Sequence, residues 1–300
     1  MFSKILVPLD GSELAERALE PAFTLARQAE GEVRLLRVCA PEKILVPNSP
    51  AIGGYGLLWP DQSLEQAEQE ARSYLAAIQK SKASRLLAVH PEVREGGVAE
   101  IIVDTAAAGK ADLIVMSSHG YSGLTRWVLG SVAEKVLRGA PCPVLVIRSP
   151  RPARHILIPL DGSALSEQAL TPGLSLAAGL RAEVTLLRAI PRVDVKEIEQ
   201  LDQAERGLGR RLEEELREDA GQYLRNLAAA RPEMGIKTAV VNEPAADSIL
   251  DYAEKHATDV IAMSTHGRTG LGRWVYGSVT EKVLRGAHHS MLVVRPVPAS

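Results

Sequence analysis

Short aliphatic runs recur along the chain, and most are followed by a segment whose apolar residues fall three or four apart. Lys4–Leu9 reads as a first strand, and Leu14, Ala18, Ala22, Leu25, Ala26 and Ala29 then place one apolar face on a helix with Ser12 as its N-cap. The pattern continues through a strand over Gly31–Val38, a helix over Leu64–Gln79, a strand over Leu86–Val93 and a helix over Val98–Ala108. It closes with a strand over Ala111–Met116, a helix carrying Val132, Val136 and Leu137, and a strand over Pro143–Arg148. The series then begins again with His155–Leu160, Ala182–Ala189, Ile236–Val241, Ala245–His256 and Thr258–Met263. A helix carrying Val279, Val283 and Leu284 and a strand over Ser290–Arg295 complete it. Strands alternating with helices predict an α/β protein with a parallel sheet covered on both faces.

The chain is one module written twice. MSSHGYSGLTRWVLGSVAEKVLRGA, Met116–Ala140, returns as MSTHGRTGLGRWVYGSVTEKVLRGA, Met263–Ala287. We expect domains over 1–149 and 154–297, joined by the proline-stiffened Ser149-Pro150-Arg151-Pro152-Ala153, which is short enough to make them dock. Pro21 and Pro172 interrupt the first helix of each copy and predict a kink. The copies diverge after their second strands. Residues 41–60, rich in Pro, Gly and apolar groups, read as a long loop or lid, and 194–230 as a charged helical stretch.

Composition narrows the class. A length of 300 residues suits two domains of about 150 each. Hydrophobic content is 46% with no apolar run near the roughly 20 residues of a membrane span, so no membrane partner is expected. Met1-Phe2-Ser3-Lys4 leads directly into a strand without a secretory pattern, and Cys39 and Cys142 form neither a metal spacing nor a disulfide framework. A cytoplasmic location is the economical reading. A net charge of -2 without a basic stripe argues against nucleic acid as a partner.

The repeated segment carries the candidate chemistry. In each copy a small-residue loop joins the C-terminal end of a strand to the N-terminus of a helix, where backbone N–H groups and the helix dipole can receive a phosphate. Gly120, Gly123 and Arg126, matched by Gly267, Gly270 and Arg273, suit close approach to an anion. Ser131-Val132-Ala133-Glu134 and Ser278-Val279-Thr280-Glu281 also read as capping boxes, which alone would account for the serine and the glutamate. Asp10 and Asp161 end the first strands, where a carboxylate can accept a sugar hydroxyl or an amine, although Asp-Gly-Ser is equally an ordinary turn. His119 and His266 lack a nucleophile at readable spacing and read as loop histidines. His288-His289 reads as a solvated pair, and Trp127 and Trp274 as packing anchors. Neither GxxxxGK[ST] nor a GxGxxG after the first strand is present.

Pro-x-Asp-Gly-Ser at Pro8–Ser12 and Pro159–Ser163, the H-G-x-x-G-…-G-S loop and the V-x-E-K-V-L-R helix together resemble the universal stress protein family over both copies. The resemblance implies two tandem doubly wound domains, each a five-stranded parallel sheet of order 3-2-1-4-5. In the nucleotide-binding branch it implies an ATP site outside the carboxyl ends of strands 1 and 4. Carried over, it gives Asp10 a contact to the ribose or adenine end, Val38 a backbone contact to adenine, and Met116 and Ser117 places against the ribose. Gly120, Gly130, Ser131 and Val132 would cradle the phosphates. In the second copy the matching residues are Asp161, Ala189, Met263, Ser264, Gly267, Gly277, Ser278 and Val279. One departure concerns the first glycine of the nucleotide-binding pattern, which is Ser117 here and Ser264 in the copy.

The function this implies is an ATP-binding stress-response regulator or sensor, with ATP accompanied by Mg or Mn, slow hydrolysis at most and no catalytic or metal-ligating residue assigned. Its two domains would form an intramolecular pseudo-dimer, with a homodimer left open. The alternatives are a nucleotide-free interaction module of the same fold and a nucleotide-processing enzyme.

Overall fold

The computed structural model describes residues 2–39, 44–47, 55–58, 61–82, 87–118, 129–191, 207–265 and 276–295. In the first copy these form β1 (Lys4–Pro8), α1 (Glu13–Glu16), α2 (Leu19–Gln28), β2 (Glu32–Cys39), β3 (Ile44–Pro47) and β4 (Tyr55–Leu58). They continue with α3 (Asp61–Lys82), β5 (Ala88–Glu95), α4 (Val98–Ala108), β6 (Leu113–Ser117), α5 (Ser131–Gly139) and β7 (Val144–Ile147). The second copy forms β8 (His155–Pro159), α6 (Ala164–Glu167), α7 (Leu170–Leu180), β9 (Glu183–Ile190) and α8 (Leu208–Ala229). It ends with β10 (Lys237–Asn242), α9 (Ala245–Lys255), β11 (Val260–Ser264), α10 (Ser278–Gly286) and β12 (Ser290–Val294).

The chain divides into two compact units, one built from most of residues 3–141 and the other from residue 142 onward. In the first unit the strands run β6-β1-β2-β5, all parallel. In the second they run β10-β9-β8-β11-β12, also parallel, which is the order 3-2-1-4-5 expected. The central strands are buried aliphatic runs, while the edge strands β5 and β10 are largely exposed or half-buried. Val7, Val33, Leu35 and Ile114 in one unit, and Ile156, Leu186 and Ile261 in the other, have no more than marginal exposure. Such strands must be covered on both faces, as the alternation with helices requires.

The last strand written in the first copy, β7, belongs to the second unit. It pairs antiparallel with β12 through Met291↔Val146, Leu292↔Leu145 and Val293↔Val144. Arg148, just after β7, secures this pairing. Its backbone N–H donates to Ser290 Oγ at 3.1 Å, and its guanidinium donates to the carbonyls of Leu284, at 2.7 Å, and Ala287 at the end of α10.

The entry to each first strand is fixed alike. The Asp112 carboxylate accepts from the backbone N–H groups of Ser3 and Lys4, and that of Asp259 accepts from Arg154 and His155.

Three local expectations are corrected. Pro21 and Pro172 do not kink a continuous helix. The helix breaks instead, and each proline falls in the first turn of the second segment, α2 or α7, where a missing N–H leaves no intrahelical bond unmade. The stretch 41–60 contains a hairpin, with Ile44↔Leu58 through Pro47↔Tyr55 in register, so its apolar residues are partly in strands and not only in a loop. His289 is no solvated residue: its side chain is 12% exposed, while His288 beside it lies in the open.

Candidate functional site

In each unit the predicted residues that the structure describes lie at the carboxyl ends of strands 1, 2 and 4 and at the start of the helix after strand 4. Strand 1 lies between the other two, and this is the switch point at which doubly wound sheets open a crevice. Asp10 follows β1 after one residue, the buried Leu9, and is half-buried. Its Oδ1 accepts from the Ser12 N–H at 3.0 Å and from the Ser12 hydroxyl at 2.6 Å. Ser12 in turn caps α1, accepting from the Ala15 N–H at 3.1 Å, as its position before the helix suggests. Asp161 repeats the turn: its Oδ1 accepts from the Ser163 N–H at 2.9 Å, and Ser163 accepts from Ser166.

Val38 and Ala189 lie half-buried near the ends of β2 and β9. Met116 and Met263 are buried at the ends of β6 and β11. Ser264 is buried where its counterpart Ser117 is half-buried. The copies differ further in one buried bond, since Thr280 donates from Oγ1 to the Ser264 carbonyl at 2.9 Å and Ala133 occupies the matching place. This bond ties the start of α10 to the end of β11.

The helix starts correct the capping-box expectation. Gly130 and Gly277 are the N-caps, in extended conformation and without a side-chain cap, and Ser131 and Ser278 are the first helical residues. With glycine as N-cap the third helical residue is Ala133 or Thr280, so Glu134 and Glu281 stand one place beyond the capping-box position. They pair with Arg138 at 2.6 Å and Arg285 at 3.1 Å, one turn on. Glycine N–H groups tie the caps to the strand-4 ends: Gly130 donates to the Ser118 carbonyl at 3.0 Å and Gly277 to that of Thr265 at 2.7 Å. Val132 and Val279 follow half-buried, while Ser131 and Ser278 are exposed. A glycine cap brings no side chain of its own to the first-turn N–H groups, so the geometry suits an anion approached by backbone. Gly120 and Gly267 lie outside the described residues, as do His119, His266, Trp127, Trp274, Arg126 and Arg273.

A further cluster escaped the sequence reading. Arg37, Tyr74 and Glu16 converge on the first Asp-Gly-Ser turn, and Arg188, Tyr223 and Glu167 on the second. Tyr74 donates to Glu16 at 3.0 Å and Tyr223 to Glu167 at 2.8 Å. Burial first, and then the hydrogen-bonded carboxylate, push both tyrosines well above their ordinary pKa. The Arg37 guanidinium donates to the Leu9 carbonyl at 3.4 Å, and that of Arg188 lies 4.8 Å from the Tyr223 ring centre. The readable signal was Ala71-x-x-Tyr74-Leu75 against Ala220-x-x-Tyr223-Leu224, inside helices otherwise unlike each other.

Comparison with known proteins agrees with this architecture. A universal stress protein of Mycolicibacterium smegmatis is 28% identical over 307 residues, covering 97% of both chains. One of Methanocaldococcus jannaschii is 36% identical over 151 residues, 50% of this chain and 85% of its own. The crystal structure of a universal stress protein from Archaeoglobus fulgidus shares the fold with a TM-score of 0.66 at 18% identity, covering 97% of this chain and 98% of that one. The universal stress protein family model matches twice, over residues 1–148 and 152–295. Two matches end to end, on a chain whose sheet order and strand-end turns are built in duplicate, mean that it belongs to the universal stress protein family as a tandem of two such domains.

Proposed function

We propose that this protein is an ATP-binding regulator or sensor of stress responses, with one site per domain, that holds ATP and turns it over slowly if at all. The observation that carries this reading is the glycine N-cap of α5 and of α10, free of side-chain capping in both copies and set at the same sheet end as a half-buried aspartate. Phosphates would take the N–H groups of Gly130, Ser131 and Val132, or of Gly277, Ser278 and Val279, while Asp10 or Asp161 would accept from the sugar or base. Gly120 and Gly267, outside the described residues, would complete the proposed phosphate cradle. Among the described residues no group of three or more His, Cys, Asp or Glu could hold a metal ion, so Mg or Mn would arrive on the triphosphate oxygens. The pattern GxxxxGK[ST] is absent, and with it the lysine that would neutralise a transferring phosphoryl group, which supports occupancy as the signal. We place the protein in the cytoplasm and read its two domains as an intramolecular pseudo-dimer.

The test is a melting curve with and without MgATP, joined to calorimetry. At about 100 times its dissociation constant a ligand adds roughly 2.7 kcal/mol of stability. For units of this size that raises the melting temperature by about 5–10 °C. A curve unmoved by millimolar MgATP, with no heat of binding, would refute the reading. Turnover at the about 1–100 s⁻¹ of kinases would replace the sensor with an enzyme.

A further inference from the structure

We infer that Arg37 and Arg188 are positioning residues of the two nucleotide sites, each holding its Asp-Gly-Ser turn from the side of the neighbouring strand, while a tyrosine–glutamate bond holds the helix that begins at the turn. The inference rests on the nucleotide reading for its ligand, and on geometry alone for the hold on the turn.

The turn glycines show the contact. Gly11 has φ +81° and Gly162 φ +82°, which favours glycine, and the arginine borders the space a Cβ would fill, in ordinary contact at Gly11 and tightly at Gly162. An added Cβ would stand 3.4 Å from Arg37 Nη1 and 3.1 Å from Arg188 Nη2. Each guanidinium therefore lies directly against the residue after the aspartate, and Arg37 also reaches the carbonyl of Leu9 on its other side. A planar fork fixed by contacts on both sides of one residue restricts where that residue's carboxylate can point.

In the second copy the arginine is itself held. Arg188 stacks over the Tyr223 ring, whose hydroxyl is tied to Glu167 on α6, the helix that begins at the turn. In the first copy Tyr74 bridges from α3 to Glu16 on α1, the helix that begins at the turn there. The tyrosines come from α3 and α8, which follow the most divergent segments of the two copies. The same cluster is nevertheless assembled twice, from strand 1, the first helix, strand 2 and the long helix. Helix–sheet packing alone would not require arginine, tyrosine and carboxylate at these places in both copies. An acceptor aspartate that must meet a sugar or base in one orientation would require its turn to be held.

The experiment uses the full chain with Arg37→Met and Arg188→Met combined, and separately Tyr74→Phe with Tyr223→Phe. Calorimetric affinities are measured for ATP, adenosine and inorganic tripolyphosphate, and amide exchange is followed at Ser12 and Ser163 without ligand. The methionine pair should weaken ATP and adenosine about tenfold, leave tripolyphosphate within about twofold, and speed exchange at both serines. The phenylalanine pair keeps the ring and loses only the glutamate bond, so it should show a smaller adenosine loss of about two- to threefold. Equal losses for adenosine and tripolyphosphate would reduce the arginines to general stability and overturn the proposal. So would unchanged exchange at Ser12 and Ser163. Faster exchange in a protein whose unmutated form binds neither ATP nor adenosine would instead sink the nucleotide reading while leaving the hold on the turn in place.

Discussion

Replacing Arg148 by methionine isolates the contribution of one guanidinium to the second unit. Methionine keeps much of the apolar stem and removes the donors to the carbonyls of Leu284 and Ala287, which stand at the C-terminal end of α10. Each carbonyl left without a donor in a buried setting costs about 1–3 kcal/mol. A cation at a helix C-terminus contributes a further 0.3–1 kcal/mol or so through the dipole. Against this stands the cost of burying the charge, visible in a guanidinium pKa pushed down to about 10 by desolvation, which the substitution relieves. The net loss should be about 2–4 kcal/mol, or a fall of roughly 5–15 °C in the melting temperature of the unit that contains α10. Differential scanning calorimetry measures it. Arg138→Met is the control, since Arg138 makes an exposed ion pair one helical turn from Glu134, worth about 0.3–0.5 kcal/mol. If Arg148→Met melts within about 1 °C of that control, the guanidinium is not holding α10 and the reasoning fails.

Two titrations give further checks. With the Tyr74 and Tyr223 pKa values raised above the unfolded value of about 10, the stability from their hydroxyl–carboxylate bonds is fully present below that pH and is lost as pH rises through the raised values. Ultraviolet titration of tyrosinate should show a late phase that disappears in the Tyr74→Phe, Tyr223→Phe protein, and ionisation of all tyrosines together would refute it. His155 and His289 are pushed the other way by burial, so the fold favours their neutral forms. Their contribution is present above the unfolded value of about 6.5 and is lost as pH falls through the depressed ones. The melting temperature should therefore decline below about pH 6.5. His289→Leu should flatten that decline, and a slope unchanged from the unmutated protein would count against the assignment.

The alternation of strands and helices and the duplication were legible because each rests on local signals: buried aliphatic strands of four to eight residues and a loop-helix segment almost identical in both copies. The split at Pro21 and Pro172 was half legible. Both prolines marked an interruption, but whether a helix bends or restarts depends on the turn at Arg17 and Ala18, which no periodicity announces. The capping box misled because Ser131 and Glu134 satisfy its spacing, while the glycine before them takes the cap and Arg138 takes the glutamate. Arg37 with Tyr74, and Arg148 with α10, were out of reach for a common reason. Each joins residues far apart in sequence, and only the sheet order brings them together.

The placement of β7 separates the boundary of the copied text from the boundary of the folded object. A polypeptide beginning at the proline linker would contain every residue of the second copy and still be unfinished, because β12 would present Met291, Leu292 and Val293 along an open edge with unpaired N–H and carbonyl groups. Such an edge is adhesive. It would draw in a strand from another molecule, so a half made this way should be sought as an oligomer or an aggregate. Beginning at Cys142 instead carries the missing strand and Arg148 along in the same polypeptide.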